Sequence, residues 1–225
     1  MKKIIGIDLG TSNTFIYVDG RGVVFSEPTI VALNSKTKQT VEVGYLASKM
    51  IGRVSDDIEI IRPMRRGVIA RINPTIKFLR EAFKRANIKS VKNTTLLFSV
   101  PSDITPVERN AYLDVGKAFE VEDVVFANEA RLGSLGSGTS SIEIKGSLHI
   151  NLGGGSTSIV VSSGKDILVS RSSYFCGNLI DEAIMRYLRK ERHLMIGEKS
   201  AEFIKMKIGS LEFTPENRLL EVPGR

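Results

Sequence analysis

One pattern of fourteen residues occurs twice, and it constrains the fold more than any other feature. The run Leu148-His149-Ile150-Asn151-Leu152-Gly153-Gly154-Gly155-Ser156-Thr157-Ser158-Ile159-Val160-Val161 lies over Ile5 to Val18 without a gap, each residue 143 positions after its partner. Asp8 falls on Asn151, Gly10 on Gly153 and Thr14 on Thr157. Apolar, β-branched residues flank a small-residue turn in both copies, which predicts strand, turn, strand. Asp19-Gly20 and Ser162-Ser163-Gly164 then mark a second turn in each, followed by strands at Val23–Phe25 and Ile167–Arg171. Three strands and two turns matching in order argue for duplication.

Between the copies, strands and helices alternate as in an α/β unit with a partly parallel sheet. After a short strand at Thr29–Leu33, residues 34–62 are polar with one helical candidate, Tyr45–Met50. Ile76, Leu79, Ala82, Phe83 and Ala86 recur at helical spacing after Asn73-Pro74. Leu96–Val100 reads as a buried strand. Thr105-Pro106-Val107-Glu108 is a capping box with proline at the first helical position, opening a helix to Phe119. Val121–Ala127 is a strand, Glu129 begins a helix, and Thr139–Ile144 is the expected joint to the second unit. Helices follow the second copy at Leu179–Arg192 and Glu198–Leu211.

Hydrophobic residues at 42% and charged residues at 25% describe a globular chain, not a disordered or fibrous one. No apolar run approaches the ~18 residues of a membrane span. Met1-Lys2-Lys3 leads straight into Ile4, with no signal-peptide core, and Cys176 has no second cysteine to pair with. The expected compartment is the cytosol. The net charge of +7 suits an anionic partner or solvated faces; no nucleic-acid motif accompanies the basic clusters at 62–71 and 186–192.

Gly10-Thr11-Ser12-Asn13 and Gly153-Gly154-Gly155-Ser156 can each gather backbone N–H groups into an anion nest, where glycine lets a phosphate approach the chain. Two such loops from facing units can clamp one polyphosphate. Other phosphate motifs fail on context. The triple glycine precedes a strand, not the helix a dinucleotide fingerprint needs, and no P-loop sequence occurs. His149, His193 and Cys176 are isolated from one another, so no zinc site is expected.

These residues carry a family resemblance. Gly6-Ile7-Asp8-Leu9-Gly10-Thr11-Ser12-Asn13-Thr14 resembles the first phosphate loop of the actin and sugar-kinase-like ATPase superfamily. The stretches Ile61–Ala70, Val100–Thr105, Val107–Arg109, Asp181–Ile184 and Ile196–Glu202 narrow the likeness to the MreB family of bacterial actin homologues, over all 225 residues. The resemblance implies an α/β, actin-like ATPase fold of duplicated ribonuclease-H-like domains. Residues 1–145 would form domain I, with 33–73 as its small subdomain. Residues 146–225 would form the first part of domain II, with 146–177 and 178–225 as its two subdomains.

The implied cofactors are ATP and Mg²⁺. Asp8 would hold the metal through water, Gly10, Thr11, Ser12 and Asn13 would wrap the phosphates, and Gly153, Gly154, Gly155 and Ser156 would form the second loop. Gly177 would lie near the nucleotide, Glu202 and Lys205 would contact the adenosine, and Glu129 would orient the attacking water. The implied role is a filament under the cell membrane that organises cell shape, built with itself or with intact MreB-type paralogues, and without nucleic acid. The location would be cytoplasmic and cytoskeletal, peripheral at the membrane's inner face. The loop Ile88–Asn93 is more basic than apolar, and suits anionic lipid and plain solvation equally.

Several positions depart from the pattern. Asn151 stands where the family has aspartate, removing a negative charge from the metal environment; the expectation is a weak Mg²⁺-dependent ATPase at most. Ala130 replaces a proline, and Arg66 and Arg71 stand where acidic residues are common. Relatives continue past Arg225 into further strands and a closing helix, so the second domain is expected to be incomplete. A non-polymerising partner of an intact relative is the rival reading. A metabolic kinase would need sugar-binding residues, and a chaperone a peptide-binding module; the sequence shows neither.

Overall fold

The computed structural model describes residues 3–138, 146–164, 166–212 and 219–224. The expected joint at 139–144 lies outside these residues. Strands β1 (Lys3–Leu9), β2 (Asn13–Val18) and β3 (Gly22–Pro28) form an antiparallel meander. β9 (Thr94–Val100) pairs with β1 in parallel, and β10 (Asp123–Asn128) pairs with β9 in parallel, giving a five-stranded sheet of order β10-β9-β1-β2-β3. One face of that sheet carries Ile5, Ile7, Leu9, Ile16, Val18, Leu96, Phe98 and Val100, all buried.

Helices α2 (Ile72–Arg85) and α3 (Pro106–Ala118) cover that face with Phe78, Leu79, Phe83, Tyr112 and Val115. Phe25 meets Phe78 and Phe98 meets Tyr112 edge to face, at ring separations of 6.0 and 5.1 Å. Each such side chain contributes ~1.5–3 kcal/mol on burial. The capping box forms: Thr105 Oγ1 accepts from the Glu108 N–H, and the Glu108 carboxylate accepts from the Thr105 N–H at 2.8 Å.

The polar stretch holds more structure than its composition suggests. β4 (Val31–Asn34) pairs with β5 (Thr40–Val43) and with β6 (Ile58–Ile61), and α1 (Gly44–Met50) packs on them. Ile30, Ala32 and Ala47 form a second small core there. A two-residue ladder of β7 (Met64–Arg65) and β8 (Val68–Ile69) follows.

Helix α2 starts at Ile72, ahead of Pro74, because a proline in the first turn forfeits only an N–H that has no helical partner anyway. α4 (Glu129–Gly136) leads to the second sheet, β11 (Gly146–Leu152), β12 (Thr157–Ser163) and β13 (Asp166–Ser173), which is fully antiparallel. α5 (Gly177–Arg192) and α6 (Glu198–Ile208) pack on each other. α6 stops before Gly209, three residues short of the expected Leu211.

Candidate functional site

The two copies of the repeat have the same register. Asp8 pairs with Phe15 and Leu9 with Thr14; Asn151 pairs with Ser158 and Leu152 with Thr157. Each turn closes with one bond, from the Gly10 N–H to the Asn13 carbonyl (3.1 Å) and from the Gly153 N–H to the Ser156 carbonyl (2.9 Å). A Cβ on Gly10 would sit 2.6 Å from the Asn13 oxygen, and one on Gly153 2.7 Å from the Ser156 oxygen, so both positions require glycine.

The loops face each other in direct contact. A Cβ on Gly154 would lie 2.9 Å from the Ser12 Cβ, and one on Gly155 2.6 Å from the Thr11 Cβ. The first loop is fastened from behind by Thr29, whose N–H donates to the Ser12 carbonyl and whose hydroxyl donates to the Gly10 carbonyl at 2.7 Å. The second is fastened by the start of α5: the Gly177 and Asn178 N–H groups donate to the Gly153 and Gly154 carbonyls, each at 3.0 Å.

The tip of the β7–β8 hairpin touches both loops. The Gly67 N–H donates to Thr11 Oγ1 (2.9 Å), and a Cβ on Gly67 (φ +81°) would lie 2.8 Å from Ser156 Oγ. Beside it the Arg66 guanidinium stacks 4.7 Å from the Tyr174 ring.

One cavity adjoins the first loop, and a broader one lies along the strands that lead into the two loops. Asp8, Glu129 and Asn151 line the broader one, of about 870 Å³, along with Ser99. Asp8 opens to this cavity but is hemmed in by protein; that burial raises its carboxyl above the usual range, and a hydrogen bond from Ser99 pulls it part of the way back. Glu129 is the first residue of α4, a helix capped by the Asn128 side chain accepting from the Arg131 N–H (3.1 Å). Burial raises Glu129, the buried Ser158 hydroxyl donating to its Oε1 lowers it, and the charges of Asp8 and Asp103 raise it again.

The oxygens of Asp8 and Asn151 suit a hard cation held through water and completed by substrate phosphates, the usual manner of Mg²⁺. Among the described residues, no three His, Cys, Asp or Glu side chains are grouped to hold a metal by themselves. His149 instead bonds Ser134 on α4 through Nε2, at 2.9 Å.

Ser12, Asn13 and Glu202 line the narrower cavity, of about 190 Å³, along with Arg62, Asn178, Asp181, Glu198 and Lys199. Lys205 does not pair with Glu202, its neighbour on the helix face. Its ammonium donates to Asp181 Oδ2 (2.9 Å) and to the Gly177 carbonyl (3.1 Å), because Asp181 on α5 is buried and lies nearer the packed side of α6.

At the rim, Arg62 donates to Glu198 Oε2 through Nη2 (3.0 Å) and Nε (3.2 Å), and Lys199 donates to the Ser48 carbonyl. Sequence reasoning gave no site role to Arg62, Asp181, Ser158 or Lys199. Only Asp181 carried a signal, four residues after Gly177 on the same helix face.

Comparison with known proteins identifies the family. The family described as MreB/Mbl protein matches residues 2–225. The cell shape-determining protein Mbl of Bacillus subtilis (strain 168) is 34% identical over 222 residues, covering 98% of this chain and 67% of that protein. The cell shape-determining protein MreB of Escherichia coli (strain K12) is 37% identical over 227 residues, covering 98% and 65%. The chain thus spans about two thirds of the length of these relatives.

Crystal structures of MreB5 of Spiroplasma citri bound to ADP and to AMPPNP superpose with TM-scores of 0.90 and 0.92 at 37% identity, covering all of this chain and 68% of theirs. The MamK double helical filament shares the fold at 20% identity, with a TM-score of 0.76 over 91% of this chain and 64% of that one.

Proposed function

The chain belongs to the MreB/Mbl family and has its actin-like α/β fold, and from that premise we propose that it binds ATP with Mg²⁺ and forms or joins membrane-associated filaments that determine cell shape, with slow hydrolysis. The observation that carries the nucleotide reading is the pair of identical turns facing each other, each needing glycine at its first position. Two further facts support it: MreB5 was crystallised with adenine nucleotides, and the curated relatives are cell shape-determining proteins. In this reading residues 1–145 and 146–225 are the two related halves, with 33–73 as the small subdomain of the first.

Backbone N–H groups of Gly10–Asn13 and Gly153–Ser156, with the hydroxyls of Thr11, Ser12 and Ser156, bind the phosphates. The contacts between Thr11 and Gly155 and between Ser12 and Gly154 must part by a few ångströms to admit them. Gly177 and Lys205 belong to the sugar side, with Glu202 beside them. Asp8 and Asn151 would hold Mg²⁺ through water; the ion, when bound, neutralises phosphate charge. Glu129 orients the attacking water, and a carboxyl raised above its usual range is better matched to take up a proton near neutrality. At Asn151 an amide replaces a carboxylate, so one acceptor charge is lost and hydrolysis is slow.

Calorimetry with Mg·ATP on this chain and on Asn151→Asp, with phosphate release followed in parallel, tests the reading. Both should bind, and Asn151→Asp should hydrolyse faster, by ~10-fold or more if one catalytic carboxylate is restored. Absence of binding in both would remove the nucleotide reading. Sedimentation with and without an intact relative separates self-assembly from joining a partner's filament.

A further inference from the structure

Ser158 is fully buried, and its hydroxyl donates to Glu129 Oε1. The bond ties the second sheet to the helix that leads into it: Glu129 opens α4, and Ser158 lies on β12 directly opposite Asn151. A hydroxyl buried without a partner is costly, so Glu129 is what makes a serine tolerable at this place.

The hairpin itself does not ask for that hydroxyl. The matching residue of the first copy is Phe15, 41% exposed, and the two copies share register and turn closure all the same. Nor does the neighbouring serine do the same work. Ser172 stands opposite Ser158 across the β12–β13 ladder, and its buried hydroxyl has no hydrogen-bond partner among the described residues. The bond belongs to one serine and one carboxylate.

Its consequence is orientation. The terminal torsion of a glutamate is broad, so a carboxylate left to itself samples many headings. Ser158 takes up Oε1 and fixes the group at the wall of the cavity that Asp8 and Asn151 also line, which leaves Oε2 for a water there. We infer that Ser158 is a positioning residue for hydrolysis, holding Glu129 through one oxygen so that the other receives the attacking water. The inference rests on the nucleotide reading above and on the role given there to Glu129.

The test is phosphate release from Mg·ATP, with binding followed by calorimetry, on the wild type, Ser158→Ala, Ser172→Ala, Glu129→Gln and Ser158→Ala combined with Glu129→Gln. Ser158→Ala should bind Mg·ATP as the wild type does and release phosphate ~10-fold or more slowly, as for a reacting group displaced by about 1 Å. Ser172→Ala should release it at the wild-type rate. On the Glu129→Gln chain, Ser158→Ala should add nothing, because the two residues act as one unit. Wild-type release by Ser158→Ala overturns the inference and leaves the nucleotide reading standing. So do equal losses in the two serine variants, or a full further loss on top of Glu129→Gln. Loss of Mg·ATP binding by Ser158→Ala overturns it too, since the bond would then be structural. A wild type that binds Mg·ATP and releases no phosphate overturns the inference alone; a wild type that does not bind removes both.

Discussion

Ile7 and Ile150 hold the same place in the repeat, yet Ile7 is 1% exposed and Ile150 is 55% exposed. The same contrast runs along the strand: Ile5 and Leu9 are buried, whereas Leu148 and Leu152 are exposed. Helices α2 and α3 cover the row in the first sheet, and among the described residues no helix covers the matching row in the second. Register and turn closure are nevertheless the same in both. The second hairpin keeps this geometry with its other face packed on α4, where Val160 and Ser158 are buried and His149 bonds Ser134; cover over the Ile150 row is therefore not what sets the register or the turn.

Truncating the matched isoleucines tests this most severely. Ile7→Ala should cost ~2–5 kcal/mol, as for a filled core site, while Ile150→Ala should cost less than about 1 kcal/mol. Chemical denaturation of both variants measures the difference, and equal costs would break the comparison.

The turns should behave in the opposite way. Gly10→Ala and Gly153→Ala each force a Cβ against a backbone oxygen that has no room to give, and each should cost ~1–3 kcal/mol. A cost confined to Gly10 would mean that the second turn is not held as the first is.

The smallest effect concerns charge. Glu129 is raised, so the folded chain binds its proton more tightly than the unfolded chain does, and stability falls as pH rises through the folded value. Glu129→Gln removes that loss. Its Tm should exceed the wild type's at pH 8, and the gap should close on acidification below ~4.3, where the unfolded carboxyl is also protonated. A gap that does not change with pH would assign the effect to packing.

Much of this architecture was legible in the residues. The repeat gave the paired hairpins and the facing loops, and Thr105-Pro106-Val107-Glu108 gave the start of α3, because such signals act within a few residues. β5 and β6 were not legible: Thr40–Val43 and Ile58–Ile61 are short runs in a polar stretch, and become strands only by pairing with β4. The site divides in the same way. Glycines at the turns announced themselves, whereas the Lys205–Asp181 pair joins residues 24 apart and Arg62–Glu198 joins residues 136 apart. Glu202 and Lys205 share a helix face, but the ion pair of Lys205 with Asp181 arises from the packing of α5 on α6 and has no sequence signal.

The contacts between Arg62 and Glu198 and between Lys199 and Ser48 line the same narrow cavity as Ser12 and Asn13 of the first loop. At the floor the two loops touch, Thr11 against Gly155 and Ser12 against Gly154. The Arg62–Glu198 contact is an ion pair whose side chains are 35% and 61% exposed, a bond of about 0–1 kcal/mol that is weakened further by salt. In kinetic terms the rim is a soft catch: an exposed ion pair opens and closes readily, and it loosens further as the ionic strength of the surroundings rises.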